Sequence, residues 1–403
     1  MNCLACIAQA AGPLRLEEAI ARALSANPAL AAQSAQMRAV EARAGREALA
    51  PPLVLTTQVE NALGTGAVAG LKGAEATVQV ARDIELGGKR AARQALGRTS
   101  IARQRHEGLA TELAIRALTT ERFIELAVDQ RRFMEAREQV VRSVDLVTEV
   151  ARWVEAGRNS DADLNAAKIA VAEAELALEH ALHERDAARV ALAATWGAQQ
   201  ADFDEVTLDL DAMPGVPEFE ELAARLDATP AFRAAAIEAA AAAARRRVAI
   251  ANSKPDLTVG VGVRRLEALN EQALVMSMSL PLGSRRRAAP AITETEAQQA
   301  AGQAGTEAAR IEARQALYAM YQEMIRARNE VEVVRDRLLP PAEEIEAFTR
   351  RGFEAGRFTF LALAQSQNAV FEFRQRMTEA LARYHLRRAE ILKLTAASGE
   401  SLP

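Results

Sequence analysis

The sequence predicts a mainly α-helical chain, internally duplicated, in which each half carries one β-hairpin between long helices. Three observations carry this reading. The tetrapeptide Glu-Ala-Gly-Arg occurs twice, in "WVEAGRNSDADLNAAK" from Trp153 and "GFEAGRFTFLALAQSQ" from Gly352, each time followed by a hydroxyl residue, Ser160 or Thr359. Aromatics are only 4% of a chain dominated by Ala, Glu, Arg and Leu, the composition of long helices with Ala-tolerant interfaces. A helical pattern without proline runs from Lys89 to Glu155; at 1.5 Å per residue that is about 100 Å.

Residues 1–13, "MNCLACIAQAAGP", read as the remnant of a secretory signal whose "AQA" end resembles a cleavage site. Cys3 and Cys6 have the spacing of a redox or metal pair, but no second cysteine pair or nearby His completes such a site. A lipid-attached Cys6 is the lesser reading, because Cys3 stands where a lipoprotein signal wants an aliphatic residue. A helix is expected over Leu16 to Leu49, then strands near 53–63 and 74–86. In the first, Leu53, Leu55, Val59 and Leu63 alternate with Thr56, Gln58 and Glu60; in the second, Val78, Val80, Ile84 and Leu86 alternate with Thr77, Gln79, Asp83 and Glu85. Between them, "GTGAVAGLKG" lacks the Gly-Lys-Ser/Thr of a phosphate loop and is followed by a strand, so it reads as an outward-facing loop. The long helix, a turn at Gly157 and a helix over Ala162 to Trp196 complete a first repeat spanning 14–215.

The second repeat, 216–397, follows the same order. "EELAARLDATPAF" from Glu220 answers "EEAIARALSANPAL" from Glu17, and "SMSLPLGSRRRAAP" from Ser277 answers "VARDIELGGKRAAR" from Val80. Helices are expected over Glu218 to Ala251, Arg286 to Glu354 and Thr359 to Ala396, with a kink or joint at Pro340 and Pro341 and strands near 257–266 and 273–282. Residues 398–403 are a tail.

A net charge of -4 with no basic block excludes a nucleic-acid partner. No apolar run reaches the length of about 18 residues that a spanning helix needs, which leaves a β-barrel open. Strands of about ten residues suit a tilted bilayer crossing, but two hairpins cannot close a barrel alone. Three copies would supply twelve strands and cover the open hairpin edges, with Gln58, Glu60, Gln79, Asp83 and Glu85 lining water.

On "LRLEEAIARALSANPAL", the junction "DIELGGKRAAR" and the two turns "EAGRNSDADLNAAK" and "EAGRFTFLALAQSQ", the chain resembles an outer membrane factor of the TolC family, nearest its CzcC-like heavy-metal branch. That resemblance implies a homotrimer with a twelve-stranded outer-membrane barrel and a long periplasmic α-helical barrel. It implies the exit duct of a tripartite pump, with a periplasmic adaptor (membrane fusion protein) and an inner-membrane transporter of the resistance-nodulation-division type. It further implies a periplasmic gate at Ser160, Asp161, Asp163 and Thr359 and adaptor contact at Gly157, Arg158, Gly356 and Arg357. Physically, Gly157 and Gly356 suit tight turns, while Ser160 and Thr359 suit helix caps. Asp161 and Asp163 set negative charge in a helix first turn. The second repeat departs from this, with Ala362 where the first has Asp163, and the strands hold almost no Tyr or Trp for an aromatic girdle.

His180 and His183 lie at i, i+3 beside Glu179 and Glu184, yet two ligands fall short of a zinc site, and a solvated face is preferred. His106 and His385 read as surface or interface residues, and Met276 and Met278 as barrel surface rather than copper ligands. No nucleophile, base and orienting acid occur together, so neither an enzyme nor a cofactor or metal site is expected. The alternatives are a channel for drugs or secreted substrates and, in a different class, a periplasmic coiled-coil scaffold or adaptor.

Overall fold

The computed structural model describes residues 12–396. The signal-remnant reading of 1–13, with both cysteines, therefore lies outside the described residues except for Gly12 and Pro13, and so does the tail. Nine α-helices and four strands are described: α1 (Leu16–Ala26), α2 (Pro28–Glu47), β1 (Leu53–Glu60), β2 (Glu75–Ile84), α3 (Lys89–Glu155), α4 (Asp161–Ala194), α5 (Phe219–Arg225), α6 (Pro230–Ala251), β3 (Leu257–Leu266), β4 (Glu271–Ser279), α7 (Ser284–Val333), α8 (Leu339–Glu354) and α9 (Phe360–Thr395).

Two helices expected to be continuous are broken, at the same place in each repeat. Asn27 and Thr229 both precede a proline, which forces the preceding residue out of the helical region, and both are extended, with ψ of 123° and 159°. Asn27 turns the break into a joint. Its side-chain oxygen accepts from Ala29 N at 2.8 Å and its amide donates to Thr195 O at 2.8 Å. Pro290, by contrast, is absorbed inside α7. The expected joint at Pro340 and Pro341 takes the form of a π-helical turn over Val334–Leu338, which rearranges the carbonyls that two prolines cannot serve.

The four strands form one antiparallel sheet in the order β1-β2-β3-β4, so the hairpins of the two repeats join through β2 and β3. Strand ends differ from expectation for local reasons. β1 stops at Glu60 because Asn61 and Leu63 take positive φ (54° and 59°), and β4 stops two residues before Pro281.

By internal contacts the chain divides into two compact units that cut across the sequence repeats. One comprises Gln33–Gly108 and Ala231–Arg310, with the sheet and its flanking helices. Its helices approach closely on small side chains: a Cβ at Gly97 would lie 3.0 Å from Ala44 Cβ, and Ala241, Ala242, Ala244, Ala249 and Ala251 are all buried. Of the described residues, the other comprises 12–32, Leu109–Pro230 and 311–396. Its core joins Leu14, Phe123, Leu126, Leu192, Phe203, Val206, Leu210 and Leu381.

Candidate functional site

The duplicated tetrapeptide forms two helix ends with one hydrogen-bond pattern. At the first, Gly157 N donates to Val154 O at 2.9 Å and Arg158 N to Trp153 O at 2.8 Å; at the second, Gly356 N donates to Phe353 O at 2.8 Å and Arg357 N to Gly352 O at 2.7 Å. These are paired Schellman closures, and both glycines carry the left-handed φ of 69° that the motif needs. Ser160 then caps α4, accepting from Asp163 N at 3.2 Å, and Thr359 caps α9, accepting from Ala362 N at 3.2 Å. Asp163 completes a capping box by accepting from Ser160 N at 3.1 Å and Ser160 Oγ at 2.9 Å. The two acids named from sequence therefore part company. Asp163 is tied into a cap, while Asp161 is exposed in the first turn of α4.

The tips also differ in how they fill the space beside these turns. Trp153 stacks on Phe353 at 5.1 Å, and the Arg158 guanidinium lies 3.7 Å from the Trp153 ring centre. The residue equivalent to Trp153 is Gly352, where a Cβ would lie 2.0 Å from the Phe358 ring. Phe358 thus occupies in one turn the room that an indole occupies in the other. Arg158 also reaches the second turn, its Nη2 lying 2.8 Å from where a Cβ on Gly356 would sit. Arg357 is exposed and has no ion pair among the described residues.

The sheet separates two kinds of surface. One face carries rows such as Leu55, Val80, Val261 and Met276, or Thr57, Val78, Val263 and Leu274, with Met276 and Met278 76% and 77% exposed. The other carries Gln58, Thr77, Arg264 and Ala273 in one row and Glu60, Glu75, Leu266 and Glu271 in the next. Arg264 offsets the repulsion between facing Glu60 and Glu75, lying 3.4 Å and 2.8 Å from them. Gln79 stretches across Gly260 and Gly262 to donate to Ser277 on β4, a path only glycines leave open. Thr258 donates to Asp83 on the same face. Glu85 lies past the end of β2 and pairs instead with Arg93, which also donates to Glu47 O and Leu49 O at the end of α2.

Comparison with known proteins draws these features together. The family model described as "Outer membrane efflux protein" matches residues 223–400. The chain is 30% identical over 370 residues, 91% of its length and 86% of the relative's, to the cobalt-zinc-cadmium resistance protein CzcC of Cupriavidus metallidurans. It belongs to the outer membrane efflux protein family. Among solved structures its fold is similar to CusC, with a TM-score of 0.81 at 14% identity over 94% of this chain and 91% of that one. It is also similar to VceC of Vibrio cholerae, with a TM-score of 0.77 at 17% identity over 95% of this chain and 96% of that one.

In this outer membrane efflux protein, sequence reasoning missed the segment between α4 and α5. Leu14 pairs with Val206 in a short parallel bridge, and Gln130 holds Val206 through both its amide atoms. Tyr384 donates to Pro214 O at 2.6 Å, and His385 Nε2 lies 2.9 Å from Leu210 O. Of the surface-or-interface reading of His106 and His385, the surface alternative is therefore corrected: both are buried, at 8% and 6% exposure. Burial holds His385 below the usual imidazole range. His180 and His183 are exposed, His183 Nε2 lying 3.9 Å from Glu179, and no group of three or more potential metal ligands occurs among the described residues.

Proposed function

We propose that this chain is one third of a passive outer-membrane exit duct serving a tripartite pump that exports heavy-metal cations. The observation that carries the reading is near full-length similarity to a cobalt-zinc-cadmium resistance protein in a chain whose sheet has one apolar face, one polar face and two unpaired edges. Three copies joined β1 to β4 make a twelve-stranded barrel with Gln58, Glu60, Gln79 and Asp83 toward water. Helix α2 sets Ala44 against Gly97 of α3 yet has no fully buried residue, and a neighbouring copy completes its packing surface. Energy comes from an inner-membrane transporter of the resistance-nodulation-division type through a periplasmic adaptor, and the chain itself performs no chemistry. The adaptor meets the paired turns at Gly157, Arg158, Gly356 and Arg357. Asp161 supplies the free charge of the periplasmic gate, with Asp163, Ser160 and Thr359 holding the helix ends in register.

Deletion of the gene tests the substrate. Growth is expected to become sensitive to cobalt, zinc or cadmium and to recover on complementation. Sensitivity confined to dyes and antibiotics would reassign the duct to another cargo.

A further inference from the structure

The two strand-to-helix junctions are sequence counterparts, yet their basic residues differ in engagement. In the first, Lys89 is 9% exposed and pairs with Asp256 at 2.7 Å, Arg90 donates to Ala48 O at 2.8 Å, and Arg93 pairs with Glu85. In the second, Arg285, Arg286 and Arg287 open α7 exposed, and none makes an ion pair or side-chain hydrogen bond among the described residues. The first turn of α7 contains no carboxylate. Three adjacent like charges with no internal partner repel one another, and an external anion relieves that repulsion.

What precedes them points to the kind of anion. The apolar side of β4 runs through Leu274, Met276 and Met278 into Leu280 and then Leu282, which is 89% exposed. The arginines begin three residues later. Arg82 adds an independent observation. By register it lies on the apolar face, in the row of Leu53, Val259 and Met278, two residues from the end of β2 that leads into α3. It too is exposed and has no ion pair among the described residues. At the loop end of the same face, by contrast, Arg265 is tied to Glu267 and Asn270. A guanidinium on a lipid-facing surface is tolerated where its stem reaches a headgroup.

We propose that Arg82, Arg285, Arg286 and Arg287 form a cationic belt at the helix-side boundary of the sheet that holds anionic phospholipid headgroups. The partner is the phospholipid leaflet on the helix side, recognised through the negative charge of its phosphates. The belt rests on the reading of the apolar sheet face as lipid-exposed.

The test uses the full chain purified in detergent, mixed with equal phosphatidylglycerol and phosphatidylcholine and examined by native mass spectrometry. Heat-modifiable migration on gels runs alongside as a check on assembly. The wild type is expected to retain phosphatidylglycerol preferentially. The variant carrying R82Q, R285Q, R286Q and R287Q is expected to lose at least tenfold of that preference, since each arginine near an anionic surface contributes roughly fivefold. The matching four-lysine variant keeps most of it. An assembled wild type that retains both lipids equally overturns the belt and leaves the duct reading intact; a chain that never assembles or enters membranes overturns the duct reading itself. A glutamine variant that keeps its lipids while its assembly weakens would assign the arginines to a neighbouring copy and overturn the belt.

Discussion

Gly352 shows how a single missing side chain lets two related turns pack differently. Gly352→Ala would drive a methyl into the Phe358 ring, and overpacking of this kind costs about 1–3 kcal/mol. Limited proteolysis at the turn is expected to accelerate while the sheet stays intact. Asp163→Ala removes the arm of the capping box in which its carboxylate accepts from Ser160 N and Oγ, while Ser160 Oγ keeps its bond from the backbone N of residue 163; the loss is about 1 kcal/mol, and thermal unfolding should register it. Asp161→Ala is expected to leave the unfolding temperature unchanged and to reduce cation preference in planar bilayers; an unchanged preference would remove Asp161 from the gate. Glu135 is a third residue-scale case. Burial raises its carboxyl above the usual range despite Thr378 and Arg131, and its Oε2 has no partner. A raised folded-state pKa means that stability is fullest in acid, below the unfolded value of about 4.5, and falls as pH rises through the folded value. Glu135→Gln is therefore expected to be more stable than the wild type at pH 8, with the gap closing toward pH 4 in thermal melts.

At the scale of elements, the clamp between β2 and α3 makes a separate prediction. Arg93 binds Glu85 and two carbonyls at the end of α2, so the pair acts across three elements. A double-mutant cycle over Glu85→Ala and Arg93→Ala should give a coupling of about 0.5–3 kcal/mol in thermal or denaturant unfolding; additivity would deny the clamp. Glu85 also marks a limit of pattern reading. Its alternation continued that of β2 in sequence, but Gly87 and Gly88, at φ of 75° and 73°, turn the chain there and the acid swings to Arg93. α3 was legible to its last residue because sixty-seven residues without proline leave a helix no reason to stop. The breaks at Asn27 and Thr229 were present in the sequence as residue-proline pairs, though helical periodicity continued across them. The segment linking α4 to α5 had no such signal. Its partners, Gln130, Tyr384 and His385, lie far away in sequence and hold backbone atoms, which leave no periodic trace.

For the whole molecule, the repeat is a unit of sequence while the compact unit is built from both repeats. The sheet joins hairpins of the two halves through β2 and β3, and each compact unit draws on both. Alternation was readable because the sheet sorts its side chains by face, with rows such as Leu55, Val80, Val261 and Met276 on one side and Gln58, Thr77 and Arg264 on the other. Among the described residues the edges of β1 and β4 have no strand beside them, and in the proposed duct closure by neighbouring copies would give those backbone groups partners. A duct built as proposed would conduct without any energy source of its own. Current recording from the purified, assembled protein in planar bilayers tests that claim most directly. Discrete, ohmic, cation-preferring steps are the predicted result, and an assembled, membrane-inserted protein that passes no current would contradict it.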